Sequence, residues 1–298
     1  LPEQGCKSYI AASGGDLFQY INKKKVKIFK LPVQSKNVIL ILFNTIILFF
    51  IILFYNIDIV HESHHVGKNL QDHLGSDIYY RANVPTLNQE LHPMIGKLRA
   101  GLKYILTRKG PLSLSLNQGG GFIQLDPNAS GPDLQLYFSP VSYTRAPAGV
   151  RPLMNPDPFP GFLMGFNPCK PTSVGNLQIC SNDPMLPPKI HSNYLDTEYD
   201  KKMMIEGIQL IRRIANAPAL NSIIKDELAP GNNIKSEADI AKYIRQKAWS
   251  VFHPCSTCRM GSDPNISVVD PKLRVYGVEN LRIADASIFP TIPTGNIN

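Results

Sequence analysis

The chain has 298 residues, 43% of them hydrophobic, and a formal net charge of +8. This is a globular composition, long enough for one large domain or two ordinary ones. The charge does not point to nucleic acid, because the excess lysines crowd into Lys23, Lys24, Lys25, Lys27, Lys30 and Lys36 and no basic stripe is interleaved with aromatics.

The five cysteines are odd in number and scattered, which excludes a disulfide framework. Cys255-x-x-Cys258 has no second pair and no histidine at zinc-finger spacing, so no metal site is expected there.

In chain order, residues 1–20 show no clean period. Residues 38–55 form an uncharged apolar run, near the ~20 residues that cross a bilayer. Lysines on its N-terminal side would place that side in the cytoplasm. The surrounding stretch, residues 22–56, is built largely from Lys, Ile, Phe, Leu, Asn and Val, most of which have A/T-rich codons. We read it as translated non-coding sequence, with a genuine membrane span as the alternative. Residues 1–56 are therefore unplaced. The chain is expected at a membrane if the 38–55 run is genuine and soluble otherwise.

The character changes at Ile57, where a short strand-like opening leads into Val66-Gly67-Lys68-Asn69-Leu70-Gln71-Asp72-His73. His61, His64 and His65 cluster beside Glu62, but their spacing fits a solvated loop and no metal motif. Gly119, Gly120 and Gly121 suggest a turn or bulge before the strand-like run Phe122-Ile123-Gln124-Leu125. No helix pattern follows these glycines, so they are not a phosphate cradle. Leu134-Gln135-Leu136-Tyr137-Phe138 and Asn176-Leu177-Gln178-Ile179-Cys180 alternate as strands do. Proline-rich joints separate the elements. Met204, Ile208 and Ile211 recur at helical spacing. Ser236 and Asp239 form an imperfect capping box that opens a second helix, with Ile240, Tyr243 and Ile244 on one face.

Three later segments carry the most information. They are Val251-Phe252-His253-Pro254-Cys255-Ser256-Thr257-Cys258-Arg259-Met260-Gly261, then Val268-Val269-Asp270-Pro271-Lys272-Leu273-Arg274-Val275, then Ala284-Asp285-Ala286-Ser287 running through Pro290 and Pro293 to Asn296. In this order and spacing they resemble the C-terminal part of the glucose–methanol–choline (GMC) family of flavin oxidoreductases. The segment Val66 to His73 resembles another signature of that family, and the middle segments look most like its choline-dehydrogenase-like branch. Phe159-Pro160-Gly161-Phe162 is similar to the start of a family strand in the substrate domain.

The resemblance implies an α+β fold: a substrate domain with an antiparallel sheet and flanking helices, plus part of an FAD-binding domain. Residues 57–250 would be mainly substrate domain and residues 251–298 the catalytic, flavin-facing segment. A hydride acceptor must be a cofactor, since no side chain accepts one, and the resemblance implies that it is FAD. His253 matches the family's catalytic histidine, and histidine titrates in the range useful to a base. Asn296 matches the second active-site position, where an amide can hydrogen-bond the substrate oxygen without titrating. Asp285 and Ala286 match the segment that approaches the FAD, and Asn69 and Asn296 are further cofactor-binding positions. Arg259 is expected to anchor its loop. The implied reaction oxidises a small alcohol such as choline to an aldehyde or ketone, passing electrons to a quinone, another acceptor or oxygen.

Departures accompany the resemblance. Ser256 stands where the family commonly has glycine; at positive φ it would cost about 1 kcal/mol. Ile297 stands where threonine is usual. No Gly-x-Gly-x-x-Gly is present, so the main dinucleotide-binding unit is not found. The expectation from these departures is an incomplete chain. The alternative functions are a catalytically inactive fragment and a membrane-anchored variant.

Overall fold

The computed structural model describes residues 60–143 and 155–297. The segment 22–56, its apolar run 38–55 and the strand-like residues 57–59 lie outside them.

Alternating side chains drive the main sheet. β1 (Leu74–Ala82) turns Leu74, Ile78, Tyr80 and Ala82 to one face. It is followed by two helices, α1 (Leu87–Leu91) and α2 (Met94–Thr107). Then come β2 (Gly119–Ile123), β3 (Leu134–Ser139) and β4 (Gly161–Pro168). A small separate hairpin, β5 (Asn176–Gln178) and β6 (Lys189–His191), precedes α3 (Glu198–Ala215). The short α4 (Pro218–Asn221), β7 (Ile224–Ala229), α5 (Glu237–Lys247) and β8 (Trp249–Ser250) complete the order.

The sheet runs β2-β3-β4-β1-β7, with β8 paired to the start of β1, and every pairing is antiparallel. β4 is buried along its whole length because it is central and covered on both faces. Phe162, Met164 and Phe166 join the β1 residues in the core beneath α3 and α5.

α3 supplies Met203, Met204, Ile208, Ile211 and Ala215, a stripe at helical spacing pressed on the sheet. Gly207 lets it approach: a Cβ there would sit 2.2 Å from the Phe166 ring. Thr197 caps its first turn by accepting the Asp200 N–H, with Glu198 and Asp200 at the positive helix end and Arg212 and Arg213 at the negative end. α5 opens at Ser236, whose Oγ accepts the Asp239 N–H at 3.1 Å and donates to Asp239 Oδ2 at 2.6 Å. The capping box is imperfect in that Asp239 returns to the hydroxyl, and the glutamate of a full box would reach the N-cap backbone. Arg212 ties α3 to β7 through a two-pronged ion pair with Glu227 at 2.7 and 3.0 Å.

The expected α+β architecture with an antiparallel sheet is present. Local readings needed correction. Gly119, Gly120 and Gly121 lie in edge strand β2, where Gly120 has no room for a Cβ against the Leu136 carbonyl. Strand pairing with β3 overrides the turn preference of glycine. The strand at Asn176 is shorter than its alternation suggested, ending at Gln178.

Candidate active site

The face of the sheet away from α3 carries Asp77, Tyr137 and Gly165. Tyr137 passes over Gly165, where a Cβ would lie 1.9 Å from its ring. Its ring centroid is 6.4 Å from that of Trp249, and Trp249 is 6.3 Å from Phe252. This aromatic row ends beside His253.

The His253 loop is a bulge in a ladder. Leu74 and Gly75 pair with Ser250 and Trp249, and the Val251 N–H donates to the His73 carbonyl at 2.9 Å. Pairing resumes where Gln71 and Cys255 exchange backbone bonds of 3.2 and 2.9 Å. Between these points Phe252 turns into the left-handed region, with φ of 68°. An aromatic residue held there stores strain of about 1–3 kcal/mol, tolerated only where surroundings enforce it.

Asp72 does the enforcing. Its Oδ1 accepts the His253 N–H at 2.8 Å, and its Oδ2 accepts from the Tyr194 and Ser250 hydroxyls. Ser250 Oγ in turn accepts the Phe252 N–H at 2.9 Å. Gln71 adds a second clamp: its Oε1 accepts the Ile292 N–H at 3.0 Å and its Nε2 donates to the Pro171 carbonyl at 3.2 Å.

His253 is 7% exposed, and its buried Nε2 has no hydrogen bond of normal geometry. Burial pushes its pKa below the ordinary 6.5, opposed by the Asp72 carboxylate, the adjacent Asn296 side chain and the Phe252 backbone. Burial therefore favours the neutral ring. His73 is fully buried, 5.8 Å away in a T-shaped contact, and bonds the Cys169 carbonyl through Nε2 at 3.0 Å. Burial lowers its pKa as well, with His253 adding to the effect.

The structure puts Asn296, itself exposed, beside His253. Asp285 caps the turn Ala286–Ile288 by accepting the Ser287 N–H at 2.8 Å. That turn lies along the His253 loop: the Ser256 N–H donates to the Ala286 carbonyl at 3.3 Å and Cys258 to that of Ser287 at 2.9 Å. Gly67, two residues before Asn69, bonds the same loop through its N–H on the Thr257 carbonyl at 2.8 Å. Asn69 has φ of 59° and a buried Nδ2 without a hydrogen bond, and Thr257 Oγ1 is likewise orphaned.

Ser256 does stand at positive φ, 70°. Arg259 anchors its loop, donating from Nε to the Ile266 carbonyl at 2.8 Å. Burial pushes both the Cys255 and Cys258 thiols up to about 11, so neither is a ready nucleophile. His64 faces Glu62 at 3.4 Å on the surface, and among the described residues no group of three or more His, Cys, Asp or Glu could hold a metal.

Sequence reasoning singled out Asn69 from its segment and passed over Gln71, Asp72 and His73. The signal for them was present as three consecutive polar residues leading into an apolar strand.

With this geometry in place, comparison with known proteins is decisive: residues 171–298 match the sequence model of the family described as GMC oxidoreductase. The chain belongs to the GMC oxidoreductase family. It is 38% identical over 249 residues to the alcohol dehydrogenase [acceptor] of Pseudomonas putida, covering 82% of this chain and 43% of that one. It is 36% identical to the oxygen-dependent choline dehydrogenase of Vibrio vulnificus, covering 78% and 41%. The chain thus spans about two fifths of the length of these curated relatives. Among solved structures, the formate oxidase of Aspergillus oryzae, in which FAD modification has been followed, superimposes with a TM-score of 0.73. It covers 82% of this chain and 46% of its own at 23% identity, a likeness of fold alone.

Proposed function

We propose that this chain supplies the substrate-facing and flavin-facing parts of an FAD-dependent oxidoreductase that acts on the CH–OH group of a small alcohol. The observation that carries this reading is His253: buried, and held on a strained bulge with its ring beside the Asn296 side chain. The alcohol and choline dehydrogenases among its relatives favour an alcohol of choline-like size.

In this reading His253 Nε2 takes the hydroxyl proton, which requires the neutral imidazole that burial favours. Asn296 donates an amide N–H to the oxygen as negative charge develops on it. Asp72 fixes the loop so that the base does not drift when the bond to hydrogen forms. The carbon–hydrogen bond breaks as the carbonyl double bond forms. Bound FAD would supply the acceptor for that hydride. Asn69 Nδ2, the Ala286 backbone, Asp285 and Asn296 are the groups that would hold it. The row Tyr137, Trp249 and Phe252 would wall the substrate, with ring faces suited to an apolar or cationic body.

The test grafts residues 60–297 into the corresponding part of the Pseudomonas putida relative and follows anaerobic reduction of FAD by an alcohol. His253→Ala should slow reduction by about 10²–10⁴, the usual worth of a placed base. Asn296→Ala should cost about 10–10³ as loss of one oxyanion donor. A His253→Ala chimaera that reduces FAD as fast as its parent would sink the assignment.

A further inference from the structure

Helix α2 is inside out. Met94, Ile95, Leu98, Leu102, Ile105 and Leu106 are 59–72% exposed, while its buried residues are only Gly96 and Ala100. At about 100° per residue the six apolar side chains fill an arc of about 120°, and Gly96 and Ala100 lie about 160° from its middle. The apolar stripe of a surface helix ordinarily faces the core; here it points straight away from it. Gly96 makes this possible by packing under the Glu90 carbonyl, where a Cβ would lie 1.8 Å from the oxygen. Leu112 and Leu114, both half or more exposed, extend the patch beyond the helix.

The charge around the patch has one sign. Lys97, Arg99, Lys103, Arg108 and Lys109 flank it, and no acidic residue occurs between Glu90 and Asp126. Arg108 lies over the Tyr104 ring, 5.3 Å from its centroid, at the left-handed C-terminus of the helix. A 14-residue helix is about 21 Å long, too short to cross a bilayer. It matches instead a helix that lies in the interface, with apolar side chains among the acyl chains and cations at the headgroups.

We propose that α2 docks this protein on an anionic lipid surface, with Leu98, Leu102 and Ile105 inserted and Arg99 and Lys103 on the headgroups.

The experiment is flotation of the protein, in the longest form its gene encodes, with vesicles of phosphatidylcholine alone or mixed with phosphatidylglycerol. The protein should float with the anionic vesicles only, and less so at high salt. Leu98→Gln/Leu102→Gln should lower partitioning at least about tenfold with the fold intact by circular dichroism, since both side chains are exposed. Arg99→Glu/Lys103→Glu should do the same. Several results overturn the proposal. Equal flotation with both vesicle types is one, and flotation of the leucine variant like the parent is another, since it would assign the contact to another segment such as 38–55. No flotation overturns it as well, whether the face proves to be a dimer contact, broken by the leucine variant in sedimentation, or is bare.

Discussion

Asp72 Oδ1 accepts the His253 backbone N–H at 2.8 Å, joining residues 181 positions apart. The same carboxylate takes the hydroxyls of Tyr194 and Ser250, so one buried charge is satisfied by three donors from two segments. Asp72→Ala removes every acceptor at once and leaves the buried His253 N–H and two half-buried hydroxyls without their partner. Hydrogen bonds to a charged group contribute about 1.5–3 kcal/mol each, and their losses overlap. We expect a loss of about 3 kcal/mol in urea unfolding. Asp72→Asn keeps one acceptor oxygen and should cost clearly less. Equal stability of Asp72→Ala and the parent would mean that the bulge is held by its ladder alone.

The two histidines give the fold a pH dependence of definite sign. Burial lowers both His73 and His253 below 6.5. The unfolded chain therefore binds protons first as pH falls, and protons stabilise the unfolded state. Their contribution is complete above about 6.5, falls as pH drops through that value, and levels off below the folded pKa values. Unfolding measured from pH 7.5 to 5 should show this decline, and His73→Gln/His253→Gln should flatten it. An unchanged slope in the double variant would assign the decline to other groups.

The Arg212–Glu227 pair links α3 to the edge strand β7. Arg212 also donates to the Ile234 and Gly231 carbonyls, at 2.7 and 3.3 Å. The Glu227 side chain is 8% exposed, so removing its partner strands a buried charge. Arg212→Ala should destabilise by about 3–5 kcal/mol. Arg212→Ala/Glu227→Ala should recover part of that loss, because the stranded charge goes with it. A double variant no more stable than Arg212→Ala alone would place the loss in the carbonyl bonds.

Periodicity disclosed the parts of this fold that local physics decides. α3 and α5 were legible because Met204, Ile208, Ile211, Ile240 and Ile244 repeat at helical spacing and Ser236 caps its helix. β3 was legible from alternation. β1 and β4 were not singled out in full, since strands covered on both faces lose the alternation that marks them. β2 was misread because a glycine run is intrinsically a turn signal and only pairing with β3 makes it a strand. Long segments matched in order singled out His253, Asn296, Asp285 and Asn69 as the candidate site before any contact was known. What holds them together was not: the bonds from Asp72 to His253 and from Gln71 to Ile292 cross more than half the chain.

Ser256 offers the most local test. It is fully buried at φ of 70°, and its Oγ makes one weak contact, 3.3 Å to Cys255 Sγ. A non-glycine residue in the left-handed region carries about 1 kcal/mol or more of backbone strain. Ser256→Gly releases that strain and loses only a small side chain and a weak bond. It also gives up about 0.5–1 kcal/mol to the greater freedom of glycine in the unfolded chain. The release should win narrowly, raising stability by about 0.5 kcal/mol. Ser256→Ala keeps the strain, loses the bond, and should lower stability by about 0.5–1 kcal/mol. The order of urea midpoints should therefore be Gly above Ser above Ala. Ser256→Ala at or above Ser256→Gly would show that this backbone is not strained.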